Sequence, residues 1–367
     1  MEMRKFLHSL LCAVALGSML SLGACSKDDD KPEVPNPDAP TVSQGAYVLN
    51  QGNYYNQVEG SLSVINYDSK KSIRNAFLAA NDRTLGAMPQ CGVAYGSKVY
   101  LGMSESSTIE ICDAATLKSL VQIKCDGKDW PGQQPYSMVA TGGKVYVCMY
   151  NGYVQRIDTV TNAVDATVQV GPNPDTMALF KGKLYVPNSD GMNWQSGYGT
   201  TASVVDLASF TVTKTLDTGL NPSMFCATDN NLYLLCKGNY GDVASTLYKY
   251  ENDRFVRLAD ATMVATGHDR VYIVNSPFVV DGVKVEYSQY NEASGKVEPW
   301  NVTGTDYPSG MAVDPVTGNI LISSYVMDGP YPSYTAPGYL NVYAPSMSLL
   351  NKYSIGAGPA AIFFSLK

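Results

Sequence analysis

The chain has 367 residues, of which 45% are hydrophobic and 16% are charged, as in a globular protein. Its formal net charge is -7, and no basic stripe runs through it. This charge balance argues against a phosphate backbone as partner, so we expect no nucleic-acid binding. Beyond residue 25 no second apolar run is long enough to span a bilayer.

Residues 1–24 have the order of a lipoprotein signal peptide. Arg4 and Lys5 precede an apolar run, and Leu22-Gly23-Ala24-Cys25 resembles a bacterial lipobox. In that motif a peptidase cleaves before the cysteine, whose thiol then carries lipid. We therefore predict lipidation of Cys25, and an ordinary secretory signal with a chance cysteine is the alternative.

Residues 25–40 form a predicted tether that is first acidic and then rich in proline. Asp28, Asp29 and Asp30 resemble the export signal that brings Bacteroidetes lipoproteins to the outer side of the outer membrane, and a solvated spacer without an address is the alternative. The proline-rich remainder favours an extended spacer. We predict a lipid-anchored outer-membrane protein that faces the extracellular side.

A repeated strand pattern fills residues 41–367. Five segments read apolar-Tyr-apolar after a tight turn, and the tyrosines are 46, 39, 48 and 39 residues apart: Tyr100, Tyr146, Tyr185, Tyr233 and Tyr272. Tyr47 and Leu321 occupy the equivalent positions at the two ends. Periods of roughly 40 to 45 residues with four short strands each predict an all-β, seven-bladed β-propeller.

Most units open with a strand that we expect to begin at a proline: Pro89, Pro135, Pro174, Pro222 and Pro308. The first unit has no opening strand, whereas residues 358–364 form one without a unit of its own. We predict that this C-terminal strand completes the first blade and closes the ring, which removes two sheet edges.

The two faces of the predicted ring differ. The connections between first and second strands are short turns, such as Gly142-Gly143. The connections on the opposite face are long and aromatic, and all three tryptophans are predicted there: Trp130, Trp194 and Trp300. Loops rich in Tyr, Trp, Asn and Gly are typical of recognition surfaces, although single rings could instead fill the channel mouth or pack between blades.

Candidates for catalysis are scarce. His268, the only histidine after the leader, falls in a predicted turn on the short-turn face, where we expect a solvated side chain. No phosphate-binding loop, nucleophile elbow or calcium-binding EF-hand motif occurs in the sequence. Asp175, Asp190 and Asp242 are the candidates for a calcium site, but their spacing does not favour one. We therefore expect a protein that is not an enzyme and has no metal or cofactor.

Six cysteines follow Cys25, and none has the Cys-x-x-Cys spacing of a redox or zinc site: Cys91, Cys112, Cys125, Cys148, Cys226 and Cys236. Most lie in apolar strand segments, which favours buried free thiols. Disulfides remain the alternative at a cell surface.

The blade pattern resembles that of YVTN or YncE-like propellers. Residues 46–53, read as Ala-Tyr-Val-Leu-Asn-Gln-Gly-Asn, and the following Gly60-Ser61-Leu62-Ser63 resemble the opening of Bacteroidetes surface propeller lipoproteins, a group that includes the BtuG-type cobalamin-capture proteins. The resemblance covers the leader and residues 41–367. It implies capture of a corrinoid outside the cell and its transfer to a TonB-dependent outer-membrane transporter of the BtuB type.

A corrin is a broad disc fringed with amides, which suits a wide face of aromatic plates and amide tips. We predict these ligand contacts: Tyr54, Tyr55, Trp130, Tyr136, Trp194, Tyr198, Asn239, Tyr240, Phe278, Tyr331 and Tyr334. Two alternatives stay open. One is a surface-layer or adhesion propeller that binds a protein or glycan, and the other is a propeller hydrolase or dehydrogenase with a metal or quinone cofactor.

Overall fold

The computed structural model describes residues 40–125, 132–277 and 284–367, and Pro40–Lys367 forms one compact unit. The predicted signal peptide, Cys25 and the tether up to residue 39 lie outside the described residues, as do Trp130 and Phe278. Within the described ranges, no helix is long and apolar enough to cross a membrane.

The described residues form seven four-stranded antiparallel sheets, so the predicted seven-bladed β-propeller is confirmed. Blade 1 begins with β1 (Ser43–Asn50), β2 (Ser61–Asn66) and β3 (Lys71–Ile73). A short helix, α1 (Ala76–Asn81), leads to blade 2, which consists of β4 (Pro89–Tyr95), β5 (Lys98–Met103), β6 (Thr108–Asp113) and β7 (Ser119–Lys124). Blade 3 consists of β8 (Pro135–Thr141), β9 (Lys144–Met149), β10 (Tyr153–Asp158) and β11 (Ala163–Gln169).

Blade 4 consists of β12 (Ala178–Phe180), β13 (Lys183–Asn188), β14 (Thr201–Asp206) and β15 (Thr211–Asp217). Blade 5 consists of β16 (Pro222–Ala227), β17 (Leu232–Cys236), β18 (Thr246–Glu251) and β19 (Arg254–Asp260). Blade 6 consists of β20 (Met263–Thr266), β21 (Arg270–Asn275), β22 (Glu286–Asn291) and β23 (Lys296–Pro299). Blade 7 consists of β24 (Tyr307–Val313), β25 (Ile320–Tyr325), β28 (Pro337–Tyr343) and β29 (Leu349–Ala357), and a small hairpin of β26 (Met327–Asp328) and β27 (Tyr331–Pro332) interrupts it.

The last strand, β30 (Pro359–Leu366), closes the ring as predicted. It pairs antiparallel with β1 from Leu366 opposite Ser43 to Pro359 opposite Asn50, and it becomes the innermost strand of blade 1. The rings of Tyr47 and Phe363 stack across this seam with centroids 5.1 Å apart. One blade is thus built from both ends of the folded unit.

Apolar side chains pack between neighbouring blades, and each of the seven junctions has its own buried cluster. The tyrosines of the repeat belong to these clusters, and Tyr100 and Tyr233 are fully buried. Trp300 follows β23 in the connection to blade 7, and it takes the alternative left open for single rings, packing between blades. Its indole is buried between blades 6 and 7, where it contacts Tyr272, Tyr287 and Tyr343.

The helix α1 is absent from the predicted element order. Its six residues are too few to show a helical period. Phe77 enters the junction between blades 1 and 2, and the Asn81 amide bonds the backbone of Leu117 and Ser119 in blade 2. A short segment held by such contacts leaves almost no periodic signal in the sequence.

An aspartate or asparagine closes many of the outer hairpins. In three of these hairpins the Oδ1 atom of an aspartate at the end of the third strand accepts hydrogen bonds from backbone N–H groups up to three residues later: Asp113, Asp158 and Asp206. Asn66 and Asn291 make the same bonds with an amide oxygen. Asp and Asn have the same shape and can both accept these hydrogen bonds, but only Asp carries a charge.

We expect these three aspartates to make stability fall in acid. The Thr116 side chain holds the pKa of Asp113 below its ordinary value, the ammonium of Lys144 does so for Asp158, and the backbone N–H of Ser209 does so for Asp206. Because the folded pKa lies below the unfolded one, their stabilisation is complete above the unfolded pKa of about 3.9 and is lost as the pH falls through the folded pKa.

The triple variant Asp113→Asn, Asp158→Asn, Asp206→Asn should therefore show a flatter decline of the urea midpoint between neutral pH and about pH 2 than the wild type. A control variant changes to amides three exposed carboxylates outside the turns of Asp113, Asp158 and Asp206: Glu59, Asp68 and Glu105. Equal slopes for the wild type and the turn variant would contradict the assignment.

Candidate functional site

The innermost strands of the blades line a central channel, and its mouth holds a cavity of about 340 Å³. All seven blades contribute polar or small side chains to this cavity. The cavity opens on the face that carries the connections from second to third strands and from one blade to the next, which we name the aromatic loop face. The opposite face carries the short turns and is named the turn face.

A β-bulge places one residue of each of five innermost strands at the cavity. In each case the register of the ladder shifts directly after the opening proline, so that the next residue is the extra one: Gln90, Tyr136, Ser223, Ser309 and Ala360. We name these five residues the bulge ring. A bulge turns a side chain away from the regular pleat, which explains how strand residues come to line the channel mouth.

Blade 4 departs from this pattern, because the strand predicted to begin at Pro174 is interrupted. Pro174 makes a single antiparallel bridge to Asn188 of its own blade, and the continuous strand starts only at Ala178. Between them Thr176 pairs with the neighbouring blade: its N–H donates to the carbonyl of Ser223 (2.9 Å), and its carbonyl accepts from the N–H of Phe225 (2.9 Å). The detour brings Asp175 to the cavity at the position that a bulge residue has in the other blades.

Asp175 forms an ion pair at the cavity with Lys237, which follows β17. The Lys237 Nζ lies 3.6 Å from Asp175 Oδ2, and Asp175 Oδ1 accepts a hydrogen bond from the Thr176 hydroxyl. Asp175 is buried, whereas about a third of the Lys237 side chain is exposed. Burial raises the pKa of Asp175, and the carboxylate raises the pKa of Lys237.

Tyr136 and Tyr150 lie near Asp175, and Tyr240 lies near Lys237. Tyr198 packs against Tyr240, and we name the four rings the central platform: Tyr136, Tyr150, Tyr198 and Tyr240. Tyr136 stacks on Tyr150 with centroids 4.6 Å apart, and Tyr198 meets Tyr240 edge to face at 6.2 Å. Burial raises the pKa of Tyr136, and the charge of Asp175 adds to the effect. Burial also raises the pKa of Tyr150, so the phenols of the stacked pair stay neutral at ordinary pH. The four rings offer flat apolar faces with hydrogen-bonding tips.

Tyr240 is exposed and has a left-handed backbone, with φ of 56°, which is rare for a bulky residue. The side chain of Asn239 supports this shape, since its Oδ1 accepts from the N–H groups of Gly241 and Val243 and its amide donates to Asp242. Asn239 was predicted as a ligand contact, but its amide is engaged inside its own loop. Its role in the structure is to present Tyr240.

Exposed tyrosines form a second group above blades 1 and 7, which we name the edge platform: Tyr54, Tyr55, Tyr331 and Tyr334. Tyr54 and Tyr55 lie in a 3-10 turn, Tyr54–Asn56, and Tyr331 lies in the β26–β27 hairpin. The Asn53 amide donates to the carbonyl of Tyr334 at 3.5 Å, which links the two loops. Tyr325 packs edge to face against Tyr334, with centroids 5.1 Å apart.

Trp194 ends the 3-10 turn Gly191–Asn193 in the long loop between β13 and β14, the loop that also contains Tyr198. The N–H of Met192 donates to Asn173 Oδ1, which attaches the turn to the preceding inter-blade connection. Six predicted contact residues are thus exposed on the aromatic loop face, with exposed fractions from 50% to 94%: Tyr54, Tyr55, Trp194, Tyr240, Tyr331 and Tyr334.

The sequence prediction missed several residues at the cavity, among them Gln90, Ser309 and Lys237. A signal for the bulge ring was present, since each member directly follows a blade-opening proline. No comparable signal marks Lys237, because it reaches Asp175 across 62 residues of sequence through the packing of blades 4 and 5.

His268 lies on the turn face, in the predicted turn and with an exposed side chain. Its Nδ1 lies 3.1 Å from Asp229 Oδ2, and its Nε2 lies 3.1 Å from the carbonyl oxygen of Pro315. The ring therefore bridges turns of blades 5, 6 and 7 rather than standing free in solvent.

The carboxylates considered for calcium have separate partners: Asp175 pairs with Lys237, Asp190 accepts from Asn193, and Asp242 accepts from Asn239. In the part of the chain that the structure describes, no three His, Cys, Asp or Glu side chains converge as metal ligands. Cys91, Cys112, Cys148, Cys226 and Cys236 are free thiols, and all of these except Cys226 are buried. Cys125 is buried as well.

Comparison with solved structures shows the same fold at very low sequence identity. A Bacteroides uniformis protein provisionally assigned as a 6-phosphogluconolactonase is 10% identical, with a TM-score of 0.61 over 88% of this chain and 100% of that one. A Bacteroides fragilis protein with the same provisional assignment is 11% identical, with a TM-score of 0.60 over 89% of this chain and 100% of that one. Hydrazine synthase of Kuenenia stuttgartiensis is 15% identical, with a TM-score of 0.59 over 74% of this chain and 88% of that one.

No curated protein matches the chain in sequence. The structural similarities support a β-propeller of a kind found in Bacteroides, and at these identities they carry no information on activity. A family model matches residues 44–336, which is most of the propeller. The chain therefore belongs to the DUF5074 family, a domain family of unknown function.

Proposed function

We propose that this protein captures a corrinoid on the aromatic loop face and passes it to a TonB-dependent outer-membrane transporter of the BtuB type. One observation carries the proposal: six exposed aromatic side chains gather on the aromatic loop face. Monomeric proteins rarely expose many aromatic rings on one face, and a concentration of them is typical of a binding surface.

The size of the channel cavity fits a ligand that lies on the face. At about 340 Å³ the cavity is near the lower end of small-molecule pockets, which span roughly 300 to 1,000 Å³. A corrin is too broad to enter it whole, but it can rest on the platforms and send a side chain into the mouth. The tyrosines would pack on the ring and donate to its amide oxygens.

The leader supports the proposed location. A lipidated Cys25 with an acidic tether would hold the propeller on the outer side of the outer membrane, where an imported vitamin arrives. We propose a binding protein rather than an enzyme, because the polar groups at the cavity are an ion pair and neutral hydroxyls and amides, an arrangement that suits recognition.

Calorimetry tests this proposal directly. The propeller unit, residues 41–367, is titrated with cyanocobalamin and with cobinamide, and we expect one-to-one binding of both. Absence of heat with both ligands at high protein concentration would overturn corrinoid capture.

A second candidate function is the binding of a glycan or a partner protein at a surface layer. The edge platform favours it, since Tyr55 is 94% exposed and the β26–β27 hairpin adds an open aromatic surface rather than a pocket. Aromatic rings of this kind also stack on sugars. Glycan arrays and pull-downs with the same unit test this candidate.

A further inference from the structure

The Asp175–Lys237 pair presents a hydrogen-bond acceptor and a donor side by side at the channel mouth. The distance of 3.6 Å between Oδ2 and Nζ makes the pair a charge contact rather than a full hydrogen bond. An ammonium has three N–H donors and a carboxylate oxygen accepts more than one bond, so both groups keep capacity for a ligand.

The electrostatics of the pair select a neutral group. Its two charges cancel, and they lie together in a cavity whose other lining residues are uncharged. A ligand anion would be repelled by the buried carboxylate and a ligand cation by the ammonium. A neutral group that both donates and accepts satisfies the two partners at once.

A primary carboxamide has this property, because its N–H and its carbonyl oxygen are on adjacent atoms. We propose that Asp175 and Lys237 together bind one side-chain carboxamide of the ligand, with the amide N–H donating to the carboxylate and the ammonium donating to the amide oxygen. This inference rests on the proposed function and names the part of the corrinoid that enters the cavity.

The geometry of the mouth supports this arrangement. Tyr136, which stacks on Tyr150, lines the cavity together with the pair, and the cavity suits a side chain rather than a ring system. Asp175 is held in place by the Thr176 hydroxyl and by the backbone detour of blade 4, so the acceptor is ordered before the ligand arrives. Ordering the groups in advance lowers the entropy cost of binding.

The test uses two shape-conserving variants of the propeller unit, Asp175→Asn and Lys237→Met, titrated with cyanocobalamin and with cobinamide, which lacks the phosphate of the nucleotide loop. We expect each variant to weaken binding of both ligands by about tenfold, because each loses a hydrogen bond to a charged group. The double variant should bind only slightly more weakly than the single variant of lower affinity, since both groups contact the same amide.

Lys214→Met and Asp253→Asn are matched controls. They remove the same charges from an exposed ion pair of 2.9 Å that lies between the outer parts of blades 4 and 5. Thermal melts of all variants show whether the fold is kept, and a variant that does not fold is replaced by Lys237→Gln or Asp175→Ser.

The outcomes separate this inference from the proposed function. If the wild type binds neither corrinoid, the proposed function and the carboxamide site are both overturned. If it binds and neither variant changes the affinity, the carboxamide site alone is overturned. Tighter binding of cyanocobalamin by Asp175→Asn together with weaker binding by Lys237→Met would identify an anion as the group at the pair and would equally overturn the inference.

Discussion

Deletion of residues 358–367 should abolish cooperative folding of the propeller. The deletion removes β30, the inner strand of blade 1, and with it the whole ladder to β1 and the stacking of Phe363 on Tyr47. Blade 1 would then have an open edge facing the channel, and blades 2 and 7 would lose the strand that lies between their own inner strands. We expect no cooperative transition in a thermal melt followed by circular dichroism.

A peptide added in trans provides the control. A synthetic peptide of residues 358–367 should restore the transition, because it supplies the missing strand, whereas the same peptide with Phe363→Asp should not. A truncated chain that melts cooperatively by itself would show that the other six blades close the ring without β30.

Loss of Trp194 and Tyr240 should have the largest effect on ligand binding. Both rings are exposed on the aromatic loop face, and Tyr240 is held by Asn239 in a strained left-handed backbone. Exposed aromatic anchors of this kind commonly contribute about 2 kcal/mol or more each. The variant Trp194→Ala, Tyr240→Ala should bind cyanocobalamin at least about 100-fold more weakly in calorimetry.

Val160→Ser is the control for this variant, since Val160 is exposed on a hairpin of the turn face and its loss should leave the affinity unchanged. Asn239→Ala tests whether Asn239 only positions Tyr240 or contacts the ligand itself. It should weaken binding through Tyr240 alone, and therefore have no further effect in a chain that already carries Tyr240→Ala. Full binding by the double aromatic variant would remove these two rings from the site.

Part of the aromatic loop face could be predicted from the sequence, because loop length and composition are local properties. The tyrosines of the edge platform and Trp194 lie where the repeat places long loops, and they are exposed. Trp300 has the same kind of loop position, yet it is buried between blades 6 and 7. An aromatic loop residue faces either solvent or a neighbouring blade, depending on the room between the two sheets. The sequence of a single repeat does not show how much room there is.

The number of blades and the closing strand follow from the repeat pattern alone. A period of four short strands leaves each unit with two apolar faces that only neighbouring units can cover, and an odd strand at one end can pair only with the incomplete unit at the other. The contact between Asp175 and Lys237, by contrast, depends on the tertiary structure. Asp175 reaches Lys237 because Thr176, just before the first strand of blade 4, pairs with blade 5 through hydrogen bonds to residues distant in sequence. Such contacts depend on the closed ring, so they exist only after the fold has formed.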